Sequence, residues 1–184
     1  ATRTLGEWDR AAGAVLPLNM SVNLSPIQIS RDDIAAAVSG ALAAAGISGD
    51  RLTLELTESA IIHDPDRVAA ALNALKKFQV RIAMDDFGTG FTSLSMLQKL
   101  PIDLLKIDQS FVGGMMADGD STAIVRAVLS LARALGMATT AEGIDSEDLA
   151  ELLAELGCTY GQGYYFSAPL PPDEALAFGM SFNA

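Results

Sequence analysis

The sequence has few of the residues that build several common kinds of site. Its one cysteine, Cys158, excludes an internal disulfide and a cysteine-based metal site. Lysine and arginine together number 12 against 23 aspartates and glutamates, and no basic run is present. Binding to DNA or RNA through phosphate neutralisation is therefore not expected. An anionic ligand would need local help, such as a bound metal.

Long hydrophobic runs are also missing. No apolar stretch approaches the roughly 18 residues that a membrane-spanning helix needs, and the first residues lack the layout of a signal peptide. We therefore expect a cytoplasmic protein, although a membrane tether in a longer parent protein stays open. His63 is the only histidine, and a loop or capping role is favoured over a catalytic one.

What is present indicates one folded domain over residues 1–184, since 50% of the residues are hydrophobic and 19% are charged. Apolar segments typical of buried strands alternate with longer segments of helical period, as in β-α units on a parallel sheet. The predicted strands cover 16–24, 51–58, 80–86, 103–108, 137–143 and 160–166. The predicted helices cover 31–46, 64–78, 92–100, 120–136 and 146–157.

About six β-α units fit either a doubly wound sheet or a (β/α)8 barrel. The first would carry a glycine-rich fingerprint after its opening strand, and none is present. The stretch DDFGTG, residues 85–90, begins with two carboxylates where a phosphate cradle needs bare backbone. Complete barrels run to about 250 residues. We therefore predict an α/β fold of the TIM-like (β/α)8 class, incomplete at the N-terminus and lacking its first strand or strands and helix.

Strand alternation decides which side chains face the inside of such a barrel. Asn23 lies on the polar face of the first predicted strand. Glu55 is flanked by leucines that face the other way, so it is expected to point inward or to be buried. Lys106 and Asp108 share one face of the fourth strand. These four side chains are candidates for an interior site.

At least four of the predicted strands end in carboxylates. Each carboxylate alone has an ordinary explanation as a helix cap or a salt-bridge partner. Together they would meet at the C-terminal ends of the strands, where barrel active sites lie, and would repel one another unless cations intervened. Oxygen ligands suit Mg2+ or Mn2+ rather than zinc. The residues are Glu58, Asp85, Asp86, Asp108 and Glu142.

Six motifs resemble, in order and spacing, the signature motifs of the EAL family of cyclic di-GMP phosphodiesterases. They are VNLS, ELTES, DDFGTGFTSL, LKID, AEGI and GQGYYFSAPL, and they extend over most of the chain. The stretch DDFGTGFTSL is specific by itself, whereas GQG alone is not. The resemblance implies a barrel enzyme that hydrolyses cyclic di-GMP to linear pGpG with two Mg2+ or Mn2+ ions.

The resemblance also implies a set of metal ligands. Asn23, Glu55 and Asp85 would bind the first ion, and Asp85 would bridge to a second ion held by Asp86 and Glu142. The glutamate of the EAL motif itself, another ligand of the first ion in the family, has no match in this chain.

Further roles follow from the same resemblance for four residues around the metals. Lys106 would contact the attacking water or the phosphate, and Asp108 would orient Lys106. Gln162 would hold a metal-bound water. Glu58 would brace the DFGTG loop.

Three residues are assigned by the resemblance to the dinucleotide site: Ser25, Gln28 and Asp145. The last stands three residues after Glu142, where the family has a second glutamate. The carboxylate is kept and shortened by one methylene, so a modest effect is expected.

Two other functions remain open at this point. A regulatory receptor would bind cyclic di-GMP without cutting it, and an unrelated metal-dependent barrel would act on a phosphorylated metabolite. The resemblance further implies a homodimer, formed by segment 92–100 and the helix after Asp118, and flanking sensor or cyclase domains in the parent protein.

Overall fold

The computed structural model describes residues 1–30, 33–62, 64–90, 93–117 and 119–181. His63, Thr92 and Asp118, which entered the expectations above, lie outside these residues. The strands are β1 Met20–Asn23, β2 Leu52–Thr57, β3 Arg81–Phe87, β4 Leu104–Ile107, β5 Ala138–Ala141 and β6 Tyr160–Gly161. The helices are α1 Thr2–Ala12, α2 Pro26–Ile29, α3 Ile34–Ala45, α4 Ser59–Ile62, α5 Pro65–Lys76, α6 Leu94–Leu97, α7 Gln109–Val112, α8 Gly119–Leu135, α9 Glu147–Glu155 and α10 Pro172–Ser181, with a 3-10 turn at Gly49–Arg51.

The six strands form one sheet in the order of the chain, β1 to β6, and every neighbouring pair is parallel. Parallel neighbours need a crossover between them, and helices supply it at each step. All C-terminal ends therefore lie along one edge of the sheet. The α/β class and the six consecutive β-α units predicted from the sequence are confirmed.

The hydrophobic core lies between one face of the sheet and the helices. Leu54 and Leu56 of β2, Ile82 and Met84 of β3 and Leu105 of β4 are all buried in it. Each such side chain contributes about 1.5–3 kcal/mol on leaving water. Because these residues recur at every second position, they fix which face of each strand turns toward the helices.

The opposite face of the sheet carries polar side chains that are also buried. They include Thr53 and Glu55 on β2, Lys106 on β4 and Thr140 on β5. A buried charge is costly unless it is paired. This face is therefore where the fold concentrates its interacting charges.

The last strand is shorter than predicted, since β6 ends at Gly161 rather than running to residue 166. The backbone turns instead, and the N–H of Tyr165 donates to the carbonyl of Ile144 at 3.0 Å. Gly163 lies so close to the same residue that a methyl group on it would be 2.0 Å from that carbonyl oxygen. The contact with Ile144, which is not local in sequence, overrides the strand pattern.

Five of the described helices were not predicted: the one-turn helices α2, α4 and α7, and the longer α1 and α10. The signal for α1 was weak because Leu5 and Trp8 are its only large apolar residues, although Gly13 ends it in the left-handed conformation, with φ 66°. None of the described side chains of α10 is buried. No helix among the described residues combines the length and the apolar character needed to cross a membrane.

Candidate active site

A β-bulge brings the tandem carboxylates of β3 together. Met84 lies opposite Leu105, but Phe87 lies opposite Ile107, so β3 uses one residue more than β4 over this stretch. Asp86 has φ 54°, in the left-handed region. In a regular strand Asp85 and Asp86 would point to opposite faces of the sheet. The extra residue and the positive φ turn both carboxylates to the same place.

Glu142, which directly follows β5, completes an acidic cluster with Asp85 and Asp86. One carboxylate oxygen from each residue lies within 4.8 Å of the others. All three residues are half-buried. The N–H of Glu142 donates to the carbonyl of Ile107 at 3.1 Å, which extends the β4–β5 pairing and fixes the position of Glu142. The expected convergence of carboxylates at the strand ends is present for these three.

Lys106 lies at the centre of the charged residues. Its Nζ is 2.8 Å from Glu55 Oε2, 2.8 Å from Asp85 Oδ1 and 2.6 Å from Glu142 Oε1, and the residue is 5% exposed. Burial alone would lower the pKa of Lys106, but the hydrogen bonds that it donates to the three carboxylates raise the pKa above its ordinary value. The side chain is therefore a permanent cation.

Two of the carboxyls hold their protons more tightly than usual. Burial raises the pKa of Glu142 against the opposing effect of Lys106, and the charges of Asp85 and Asp86 raise it further. Burial also raises the pKa of Asp86, assisted by the charges of Asp85 and Asp108. Burial is the larger cause for both pKa values, and repulsion from the neighbouring carboxylates adds to it.

The donor set fits divalent cations. When ionised, the four carboxylates of Glu55, Asp85, Asp86 and Glu142 outweigh the one ammonium of Lys106 by three charges. All the acidic ligands offer oxygen, which Mg2+ and Mn2+ prefer. Two divalent cations would bring four positive charges against these three negative ones and would remove the repulsion among the carboxylates.

Asn23 lies at the end of β1, beside Glu55 in the strand register. It is exposed, whereas Glu55 is buried. The register places the Asn23 backbone next to a carboxylate that already touches Lys106. Its role as a metal ligand stays a prediction.

Glu58 holds the loop after β3. It is 4% exposed, and its Oε1 accepts a hydrogen bond of 2.7 Å from the N–H of Gly88. A methyl group on Gly90 would lie 2.6 Å from Glu58 Oε2, so the loop passes very close to this carboxylate. This geometry supports the bracing role given to Glu58.

Asp108 lies at the N-terminus of α7 as its cap. Its Oδ1 accepts a 3.0 Å hydrogen bond from the N–H of Ser110 and a short one from the Ser110 hydroxyl. The orienting role of Asp108 toward Lys106 stays a prediction, since the contacts shown for its carboxylate are with Ser110.

Gln162 and Asp145 line a groove of about 540 Å3 beside the acidic cluster. Backbone bonds bring them there, because Gln162 N–H donates to Ala141 at 2.9 Å and Ile144 N–H donates to Gln162 at 3.1 Å. The sequence analysis did not single out Gln109, which lines the same groove. Its position directly after Asp108 was the available signal.

Ser25 and Gln28 form a reciprocal capping box at the start of α2. The Ser25 hydroxyl oxygen accepts from the N–H of Gln28 at 3.3 Å, and Gln28 Oε1 accepts from the N–H of Ser25 at 3.0 Å. Both residues are exposed. The structure thus gives them a local role, and their contact with a dinucleotide stays a prediction.

Asp85, Asp86 and Glu142 lie in two of the six motifs that resemble the EAL family. The family model named EAL domain matches residues 1–169. The chain belongs to the EAL domain family. The resemblance drawn from the six motifs is therefore confirmed, and an unrelated metal-dependent barrel is excluded.

Curated relatives of this EAL domain are much longer proteins. An uncharacterized signaling protein of Caulobacter vibrioides is 45% identical over 175 residues, which are 92% of this chain and 22% of that protein. MucR of Pseudomonas aeruginosa, a bifunctional diguanylate cyclase/cyclic di-GMP phosphodiesterase, is 37% identical over 183 residues, 94% of this chain and 27% of MucR. The chain spans about a fifth to a quarter of the length of the curated relatives it matches.

Solved structures confirm the barrel-like fold class of the EAL domain. The EAL domain of Mycobacterium smegmatis DcpA has a TM-score of 0.92 at 35% identity, covering 98% of this chain and 81% of that one. The complex of the MucR phosphodiesterase with cyclic di-GMP has 0.88 at 36% identity, covering 95% and 70%. Klebsiella pneumoniae BlrP1 with manganese and cyclic di-GMP has 0.80 at 28% identity, covering 91% and 42%.

Proposed function

We propose that this EAL domain hydrolyses cyclic di-GMP to linear pGpG with two divalent cations, Mg2+ or Mn2+. The observation that carries the proposal is the cluster of Asp85, Asp86 and Glu142 around the buried Lys106, at the strand edge where a barrel places its active site. The complex of the MucR phosphodiesterase with cyclic di-GMP and that of BlrP1 with manganese and cyclic di-GMP support the substrate and the binding of a divalent cation.

We assign the cations to the residues that the motifs indicated. Asn23, Glu55 and Asp85 would hold one, and Asp85, Asp86 and Glu142 would hold the other. When bound, such cations polarise a phosphodiester and lower the pKa of a coordinated water enough to supply hydroxide near neutral pH. Hydrolysis adds this water to one phosphorus and releases one ribose oxygen, which opens the ring.

The chain's own residues position the reactants and balance the charge. Lys106 is not needed as a base, because metal-bound water supplies the hydroxide; its positive charge would stabilise the negative charge that develops on phosphorus. Glu58 keeps the loop of Gly88 in place and thereby holds Asp86. Gln162 lines the groove beside the cluster and would hold a water there. Asp145, Ser25 and Gln28 are proposed to contact the dinucleotide.

The test is to incubate the full chain with cyclic di-GMP and Mg2+ or Mn2+ and to separate the products by chromatography. We expect pGpG to form only when a divalent cation is present. Retained binding without hydrolysis would overturn the proposal and favour the receptor function.

We also propose a homodimer through segment 92–100 and α8, with sensor or cyclase domains flanking the domain in its parent protein. Leu94 and Met116 are each 59% exposed, and Ile124 of α8 is also exposed. Exposed apolar side chains of this size are common at interfaces between subunits. MucR, whose name includes a cyclase, supports the flanking domains. Sedimentation of the wild type and of Leu94→Lys tests the dimer.

The cytoplasmic location stays a prediction.

A further inference from the structure

The short helix α7 lies between the two segments that carry the acidic cluster. On one side, the ring of Phe111 packs against Gly88, in the loop that follows Asp86. On the other side, Gln109 packs against Gly143, the residue after Glu142. α7 also continues directly from β4, whose Lys106 touches both sides of the cluster.

The contact between Phe111 and Gly88 is close. A methyl group on Gly88 would lie 3.1 Å from Phe111 Cε2 and 3.6 Å from Cζ, and Gly88 has φ 101°, a conformation that favours glycine. The carbonyl of Asp86 accepts hydrogen bonds from the N–H and the hydroxyl of Thr89, at 3.2 Å and 2.9 Å, which closes the turn. The ring therefore packs against a turn whose first residue is a member of the acidic cluster.

The contact between Gln109 and Gly143 is closer still. A methyl group on Gly143 would lie 2.7 Å from Gln109 Cβ and 3.4 Å from its Cα. These atoms sit at the helix backbone and cannot be moved by rotating the side chain. The position of α7 therefore limits how far Glu142 can move toward Asp86.

We propose that Phe111 is a positioning residue that sets the distance between Asp86 and Glu142. Its ring fixes the turn after Asp86 relative to α7, while Gln109 holds α7 against the segment of Glu142. Glu58 restrains the same turn by a hydrogen bond, and Phe111 does so by packing. The inference rests on the proposed function only in taking this cluster as the metal site.

The experiment compares Phe111→Ala, Phe111→Leu and Val112→Ala in the full chain. Val112 is the matched control, because it is a fully buried neighbour on α7 that packs in the core. Three quantities are measured: Mn2+ affinity by calorimetry, kcat and KM for cyclic di-GMP, and the unfolding temperature.

We expect Phe111→Ala to lower Mn2+ affinity and kcat about tenfold, as for residues that orient metal ligands, with KM little changed. Phe111→Leu keeps the near part of the ring but loses the Cε2 and Cζ contacts, so its values should fall between those of the wild type and Phe111→Ala. Val112→Ala should lower the unfolding temperature and leave Mn2+ affinity and kcat as in the wild type.

Equal effects of the Phe111 and Val112 variants on Mn2+ affinity would overturn the positioning role. If Phe111→Ala does not fold, an unchanged Mn2+ affinity in Phe111→Leu overturns it equally. Failure of the proposed hydrolysis can be told apart from failure of the positioning role. If the wild type binds Mn2+ but leaves cyclic di-GMP intact, the Mn2+ affinities of the wild type and the Phe111 variants still test the positioning role.

Discussion

Lys106 Nζ lies 2.6 Å from Glu142 Oε1, and this ion pair joins the middle of the sheet to the end of β5. The same ammonium reaches Asp85 and Glu55. In the absence of metal, one buried cation thus supports carboxylates from three different strands.

Metal removal should abolish turnover. Excess EDTA is expected to stop hydrolysis of cyclic di-GMP, because the carboxylates alone supply neither a positive charge nor an acidic water. Ca2+ should inhibit when added with Mg2+, since it takes more ligands at longer distances. The measurement is the rate of pGpG formation. Full activity in excess EDTA would contradict the metal assignment.

Replacing Lys106 by Met should destabilise the metal-free protein strongly. The change leaves several buried or half-buried carboxylates without their cation, and breaking such a set typically costs about 3–5 kcal/mol. Added Mn2+ should then raise the unfolding temperature more in Lys106→Met than in the wild type. Lys76→Met is the control, because its pair with Asp103 is about one third exposed and should contribute about 0–1 kcal/mol. An equal response to Mn2+ in the two variants would show that Lys106 does not support the cluster.

Asp85→Asn should remove turnover by disturbing both cations. The amide cannot bridge two ions as a carboxylate does, so the rate should fall roughly a hundredfold or more. This loss exceeds the roughly 10–100-fold that is typical when a residue that only hydrogen-bonds to a metal ligand is replaced. Asp103→Asn makes the same chemical change at the start of β4, where Asp103 accepts from the N–H of Ile82 at 2.7 Å and pairs with Lys76. That control should lose stability but keep Mn2+ stoichiometry. Calorimetric titration measures the Mn2+ stoichiometry, and product formation measures the rate. Two bound ions in Asp85→Asn would refute the bridging role.

The pH dependence of stability should differ with and without metal. Burial raises the pKa of Glu142 and of Asp86 in the folded protein, so the folded state binds protons more tightly than the unfolded state. This contribution stabilises the metal-free protein at low pH and is lost as pH rises from the ordinary carboxyl range through the raised values. Mn2+ needs the ionised carboxylates, so its affinity should rise over the same window. The check is to measure the unfolding temperature of the metal-free wild type and of metal-free Glu142→Gln as a function of pH. The loss of stability with rising pH should be smaller in the variant, and the same pH dependence in both proteins would contradict the assignment.

Much of the site was predictable because strand alternation is a local property. Glu55 stands between leucines, and the structure buries it on the face opposite Leu54 and Leu56. Asp85 and Asp86 were different, since alternation alone would separate them. Their convergence depends on a bulge defined by the pairing of β3 with β4, which no local pattern reveals. The family motifs identified them without explaining the geometry.

The parts of the fold that sequence reasoning missed depend on distant contacts. β6 is cut short because the chain from Gly163 to Tyr165 bonds to Ile144. α7 was likewise too short to carry a period, yet Phe111 and Gln109 touch both sides of the acidic cluster. Such features become visible only when segments far apart in sequence are brought together.

The capping box of Ser25 and Gln28 has a chemical consequence for whatever approaches the mouth of the barrel. The side-chain oxygen of each residue accepts one hydrogen bond from the backbone N–H of the other. Each oxygen keeps a second lone pair, and these exposed residues also offer outward the hydroxyl proton of Ser25 and the amide protons of Gln28. The helix start thus occupies half of the acceptor capacity of these two oxygens and leaves the side-chain donors available, so a molecule rich in oxygen acceptors finds donors at this point.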